Sequence, residues 1–160
     1  MMEFATQCTI ELVDGVLPKR QTDGAAAYDL YCPKDTVIKT GRQVIPLGFR
    51  MSFPNDLEVQ IEARSGFEVN GFEGYWMGDA LMDKPCRFDT DVLAGKIDSD
   101  YRGIVGVIVK SYEKVPFVCK AGTRIAQMTF VRIDHPELVV GQVDKTSRGS
   151  GGYGSTGTHR

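Results

Sequence analysis

The segment Leu57–Ala63 alternates without a break. Leu57, Val59, Ile61 and Ala63 fall on one side, and Glu58, Gln60 and Glu62 on the other. A period of two is the signature of a half-buried strand, because successive side chains leave opposite faces of an extended backbone. Similar short runs recur at Cys8–Val13, Thr36–Thr40, Val44–Phe53, Ile104–Tyr112, Val115–Cys119, Ile125–Ile133 and Leu138–Val143. Turn chemistry separates them, at Asp14-Gly15, Pro54-Asn55-Asp56, Ala121-Gly122 and His135-Pro136. No window of 11–18 residues carries a sustained apolar stripe at helical spacing. The pattern predicts an all-β domain of the sandwich or jelly-roll kind.

At 160 residues the chain suits one domain with its own core, needing neither metal nor disulfide to hold it. The net charge of −2 is too balanced for a protein that coats nucleic acid. Cys8, Cys32, Cys86 and Cys119 are widely spaced, with no C-x-x-C pair, so they read as reduced thiols rather than zinc ligands. The start has no basic n-region followed by an apolar stretch. The longest apolar run, Gly103–Val109, is far short of a membrane helix. These features predict an intracellular protein, cytoplasmic or nuclear.

Two stretches break the strand pattern. Residues Glu68 to Asp91, rich in Gly and aromatics, read as a long loop or insertion. The tail Ser147–Gly157 holds almost no core-forming side chain. It admits two readings: an unstructured terminus, or a polyphosphate cradle. In the second, glycine amides approach the oxygens closely, Ser155 and Thr156 donate, Arg148 supplies a guanidinium fork and Tyr153 a stacking face. Asp98, within Gly95–Gly103, is either a turn residue or a carboxylate at a cleft, suited to take a proton from water. Arg64-Ser65-Gly66 is a strand end or a phosphate contact. Gln127, polar in an apolar strand, must find hydrogen-bond partners.

Taken in order, Ala25–Leu30, Ala63–Gly66, Gly95–Gly103, Gly122–Gln127 and Arg148–Gly157 resemble the five motifs of the trimeric dUTPases, over roughly residues 24–157. The resemblance implies a jelly-roll-like β-barrel assembled as a homotrimer, with active sites between subunits. The domain would span residues 1–146, and a flexible arm, 147–160, would close over a neighbour's site. The implied reaction is hydrolysis of dUTP to dUMP and pyrophosphate, with Mg²⁺ held mainly by the triphosphate. By the same likeness Asp98 is the general base and Gln127 lies near the α-phosphate or its water. Arg64, Ser65 and Gly66 contact the phosphate chain. Gly95, Ile97 and Gly106 read the uracil edge through their backbones, and Tyr101 packs on the deoxyribose. Arg148, Tyr153, Gly154 and Ser155 arrive with the arm. Asp29 acts on the metal's water shell or supports the site.

The likeness has departures. Tyr153 stands where the family more often has Phe, and Ala63 replaces a common Pro. The stretch from Ser65 to Asp98 is longer than the family's compact spacing, which places an insertion at about residues 68–87. That insertion is either a lid, a docking surface for a protein partner or a neutral decoration. A dCTP deaminase-like or regulatory nucleotide-binding protein on the same fold is the alternative. The zinc deaminase signature is lacking, since Pro85-Cys86 stands alone.

Overall fold

The structure, a computed structural model, describes residues 6–77 and 84–152. It is all-β apart from one short helix. The strands in chain order are β1 (Thr9–Leu12), β2 (Tyr28–Tyr31), β3 (Thr36–Ile38), β4 (Gly41–Pro46), β5 (Phe49–Ser52) and β6 (Leu57–Glu62). Helix α1 (Ser65–Asn70) follows, then β7 (Phe72–Trp76), β8 (Cys86–Phe88), β9 (Thr90–Leu93) and β10 (Gly95–Ile97). The last three are β11 (Gly106–Ser111), β12 (Phe117–Cys119) and β13 (Arg124–Arg132). They form four antiparallel sheets, ordered β1-β5, β10-β6-β13-β2, β4-β11-β9 and β3-β12-β7-β8. The arrangement is jelly-roll-like, with separate sheets around one core.

Alternation explains the packing. Leu57, Val59 and Ile61 of β6 point into the core, as do Val107 and Val109 of β11, and Ile125 and Met128 of β13 close its floor. Aromatic rings fill the far end, where Phe88 stacks on Phe117 at 3.9 Å and Phe72 meets Phe67 at 4.8 Å. Glu58, on the polar side of β6, is nevertheless buried. Lys96 pairs with it, and hydrogen bonds from Lys96 and then Gln60 hold its carboxyl below the ordinary range. All four cysteines are free thiols.

Three sequence expectations change. The run Val44–Phe53 is two strands, because Gly48 takes φ +71° between them. The backbone turns there to meet the Asp14-Gly15 turn, and Val13 and Asp14 both donate to the Gly48 carbonyl at 2.9 and 3.1 Å. Second, Leu138–Val143 forms no strand: Leu138, Val139, Val140 and Val143 are all exposed, and the segment pairs with no strand among the described residues. Third, the expected loop over Glu68–Asp91 is mostly structured. It contains the end of α1, β7, β8 and the start of β9, since Phe72, Gly74 and Phe88 have a core to enter.

Replacing Gly48 by Ala is expected to destabilise the fold. A Cβ there sits 2.6 Å from the Gly15 nitrogen, on a left-handed backbone. An L side chain in that region costs about 1–2 kcal/mol before any clash. Thermal melts should show a loss of at least about 2–4 °C; an unchanged melting temperature would mean that the two turns can separate freely.

Candidate active site

Three adjacent strands build the first cleft. Gln127 on β13 is the direct cross-strand partner of Asp29 on β2 and of Glu62 on β6, so the three side chains share one face. The Gln127 amide donates to Glu62 Oε1 at 3.1 Å. Two residues beyond Glu62, Arg64 returns to the same face just before α1.

Asp29 is the buried pivot of this cleft, with 8% of its surface exposed. Arg64 Nε lies 3.1 Å from its Oδ1, and Arg124 Nη1 lies 3.2 Å from its Oδ2. Arg64 Nη1 also donates to the Arg124 carbonyl at 3.2 Å. One carboxylate thus holds two guanidinium groups in fixed positions, and charge-assisted bonds of this kind are the strong ones. Ser65 and Gly66 open α1, whose first amides have no partner within the helix. The cleft encloses about 300 Å³. Arg124 and Glu62 were not singled out in the sequence. For Arg124 the signal was available, in the same Gly122–Gln127 motif as Gln127; for Glu62 only its polar position on β6 marked it.

The second cleft lies elsewhere. It encloses about 270 Å³ and is lined by Gly95, Ile97, Asp98, Tyr101 and Gly106, with Val44 and Ile61 as apolar walls. Asp98 begins a tight turn in which the Tyr101 amide donates to the Asp98 carbonyl at 3.1 Å. Tyr101 donates its hydroxyl to the Ile104 carbonyl at 3.1 Å, which fixes the ring across the turn. Val105 is clamped between the two halves of the Gly48 break: Leu47 donates to its carbonyl at 2.8 Å, and its own amide donates to Phe49 at 2.9 Å. The segment does not form a hairpin. β10 pairs with β6 while β11 pairs with β4 and β9, so residues 98–105 cross between two ladders.

The register sets the distance between the clefts. Ile97 stands opposite Val59, so Asp98 emerges beside Glu58, at the end of β6 remote from Arg64. About six residues of strand separate them, roughly 20 Å at 3.3 Å per residue. Within one chain the structure therefore brings Asp29, Arg64, Ser65, Gly66 and Gln127 together, and separately Gly95, Ile97, Asp98, Tyr101 and Gly106. Arg148 belongs to neither group: its Nε donates to the Gly151 carbonyl at 2.8 Å, within the terminal segment itself. Tyr153, Gly154 and Ser155 lie outside the described residues. A third cavity, of about 620 Å³, lies elsewhere, with a mainly apolar wall that includes Leu17, Tyr28, Leu57 and Phe130.

No helix among the described residues is long and apolar enough to cross a membrane. The profile of the dUTPase family matches residues 14–77 and 89–157. The chain is 40% identical over 142 residues to a deoxyuridine 5'-triphosphate nucleotidohydrolase of Vaccinia virus (strain Copenhagen), covering 88% of this chain and 84% of that protein. It is 37% identical over 146 residues to the protein of the same name from Solanum lycopersicum, covering 90% and 76%. Among solved structures it resembles a variant of the Staphylococcus bacteriophage 80alpha dUTPase with dUpNHpp, at a TM-score of 0.72 and 22% identity, over 95% of this chain and 99% of that one. It also resembles a mutant dUTPase from phage phi11 of S. aureus, for which a structural Mg(II) ion is described, at a TM-score of 0.69 and 19% identity, over 88% and 99%. Between the two matched blocks, residues 78–88 are left unmatched. That unmatched stretch overlaps the insertion at about residues 68–87 read from the sequence.

Proposed function

This chain belongs to the dUTPase family, and from that premise we propose that it hydrolyses dUTP to dUMP and pyrophosphate at sites shared between copies of itself. The observation that carries the reading is the separation of the two clefts. A triphosphate gripped by Arg64 lies too far from Asp98 of the same chain, so the base must come from a second copy.

In this reading a homotrimer supplies three equivalent sites. The exposed apolar run Leu138–Val143 and the apolar 620 Å³ cavity support assembly, because large uncovered apolar surface marks contact faces. The dUTP base enters the second cleft, where the backbones of Gly95, Ile97 and Gly106 read the uracil edge. Main-chain groups cannot change identity, so a cytosine edge leaves mismatched polar groups unpaired, at about 1–3 kcal/mol each. Tyr101, its ring held by the Ile104 carbonyl, packs on the deoxyribose and leaves no space for a 2′-hydroxyl.

The phosphate chain extends into the first cleft of the neighbouring copy. Arg64 spends Nε and Nη1 on the Asp29–Arg124 scaffold and presents Nη2 to phosphate oxygens, while Ser65 and Gly66 add a hydroxyl and amides. Asp98 accepts a proton from a water whose oxygen forms the new bond to the α-phosphorus. The bond to the α,β-bridging oxygen breaks, and pyrophosphate departs with that electron pair. Gln127, oriented by Glu62, lies beside the α-phosphate and the attacking water. Catalysis of this kind is mostly positioning and charge stabilisation.

Mg²⁺, when bound, neutralises charge on the triphosphate. The cleft fits an ion carried in by phosphates, because the Asp29 carboxylate is committed to two arginines yet retains lone pairs for a metal-bound water. The segment 147–160 acts as an arm, with Arg148 as phosphate clamp and Tyr153, Gly154 and Ser155 closing over the base and phosphates. A protein partner at the insertion would meet the β8 edge and the exposed Trp76 and Met77 beside it.

Pyrophosphate release tests the reading directly, with dUTP, UTP, dCTP and dTTP compared in the presence and absence of Mg²⁺. Turnover of dUTP should exceed that of each other nucleotide by at least about 10²-fold, the result of several unpaired or clashing groups acting together. Equal rates for dUTP and UTP would remove Tyr101 from its assigned place, and ammonia from dCTP would point to a deaminase.

A further inference from the structure

Arg87 lies within residues 78–88, the stretch between the two blocks that the family profile matches. Its strand, β8, pairs with β7 so that Arg87 stands opposite Glu73. The guanidinium makes three contacts. Nη2 meets Glu73 Oε2 at 3.1 Å, Nη1 donates to the Gly71 carbonyl at 3.3 Å, and the group lies 5.9 Å from the Phe67 ring centre.

Both of the last two partners control α1. Phe67 is its one buried residue and packs against Phe72. Gly71 ends the helix, donating to the Phe67 carbonyl at 2.8 Å. It has φ +86°, and β8 passes so close that a Cβ at Gly71 would sit 2.9 Å from the Phe88 carbonyl oxygen. A helix of six residues has little stability of its own, so its orientation is set by what touches it. On the other side the Arg64 guanidinium lies 5.9 Å from the same Phe67 ring, and Arg64 holds Asp29. A contiguous line of contacts thus runs from Glu73 through Arg87, Phe67 and Arg64 to Asp29.

We infer that Arg87 is a positioning residue, by which β8 sets the tilt of α1 and hence the placing of Arg64, Ser65 and Gly66 against the substrate's phosphates. The inference rests on the phosphate-binding role given to that segment above. Without Arg87, α1 can pivot about Phe67, displacing Ser65 and Gly66 at its opposite end. These groups grip the phosphates before and during the reaction, so the loss falls mainly on ground-state binding and hence on KM.

The test is steady-state dUTP hydrolysis by the full chain carrying R87M, which keeps the length and apolar packing of the side chain but removes its donors and charge. KM for dUTP should rise about tenfold, the scale of a sub-ångström displacement, with kcat within about threefold and the melting temperature little changed. R87K keeps the charge beside Glu73 but cannot bond Gly71 as a fork does, and its KM should fall between the two. In a double-mutant cycle, S65A should cost less in the R87M background than in the wild type, because the two changes spoil the same cradle. A folded R87M with KM within twofold of wild type overturns the inference, as do fully multiplicative losses with S65A. If R87M does not assemble, R87K decides: a wild-type KM overturns the role and an elevated one upholds it. Failure of the wild-type chain to release pyrophosphate from dUTP sinks the reading beneath; an active wild type with an indifferent Arg87 sinks only this assignment.

Discussion

Replacing Asp98 by Asn is expected to lower kcat for dUTP hydrolysis by at least ~10²-fold, since a positioned general base is worth about 10²–10⁴. Nucleotide binding should survive. Asn matches the carboxylate in size, and the turn around it is held by bonds that do not use that side chain, from the Tyr101 amide to the Asp98 carbonyl and from the Tyr101 hydroxyl to the Ile104 carbonyl. What disappears is the acceptor for the water's proton. Pyrophosphate release gives kcat, and calorimetric titration with a non-hydrolysable dUTP analogue gives affinity. Activity within tenfold of wild type would remove Asp98 from its role. The variant also tests where the base comes from. Refolded together with an inactive R64A chain, it should regain activity that neither has alone, because mixed assemblies contain some sites with Asp98 from one copy and Arg64 from the other. No recovery would mean that a single chain closes the gap between its own two clefts.

Truncation before Arg148 is the second large effect. Among the described residues the core and every strand end by Arg132, so the shortened chain should fold and assemble as the full one does. Among the described residues Arg148 bonds within its own segment, its Nε to the Gly151 carbonyl. In the proposed closed site it exchanges that contact for a phosphate, and the glycines around it let the backbone lie close over the substrate. Losing one preorganised donor set costs roughly 10²–10³-fold, and losing a stacking face a further 1–3 kcal/mol. A fall in kcat/KM of at least ~10³-fold is therefore expected, with sedimentation showing an unaltered assembly. Undiminished turnover would refute the arm's part in catalysis; a dissociated assembly would show that the segment acts in contact between subunits instead.

The fold class was legible in the sequence, and so were single candidate residues of the site. Arg64, Asp98 and Gln127 stood out because polar groups at strand ends, turns and apolar strands need a reason to be there. Their company did not. Asp29 read as either a support or a group on the metal's water shell, and only its two arginine partners show it as the pivot of the first cleft. β7 and β8 were hidden because Phe72–Trp76 contains Gly74 and lacks clean alternation, and β8 is three residues long. Their stability comes from Phe88 on Phe117 and Phe72 on Phe67, contacts between residues far apart or on different elements.

Local chemistry by itself determined that the chain is all-β, which face of Leu57–Ala63 enters the core, and which residue types are available for phosphate and proton chemistry. Those properties follow from side-chain alternation and donor identity, which are written residue by residue. Which strands meet, and in what register, was decided only in three dimensions. Alternation says which way a side chain points but not which strand lies beside it. The placing of Ile97 opposite Val59 rather than at the other end of β6 is such a choice. It puts Asp98 and Arg64 at opposite ends of one strand, and so makes the proposed chemistry a property of more than one chain.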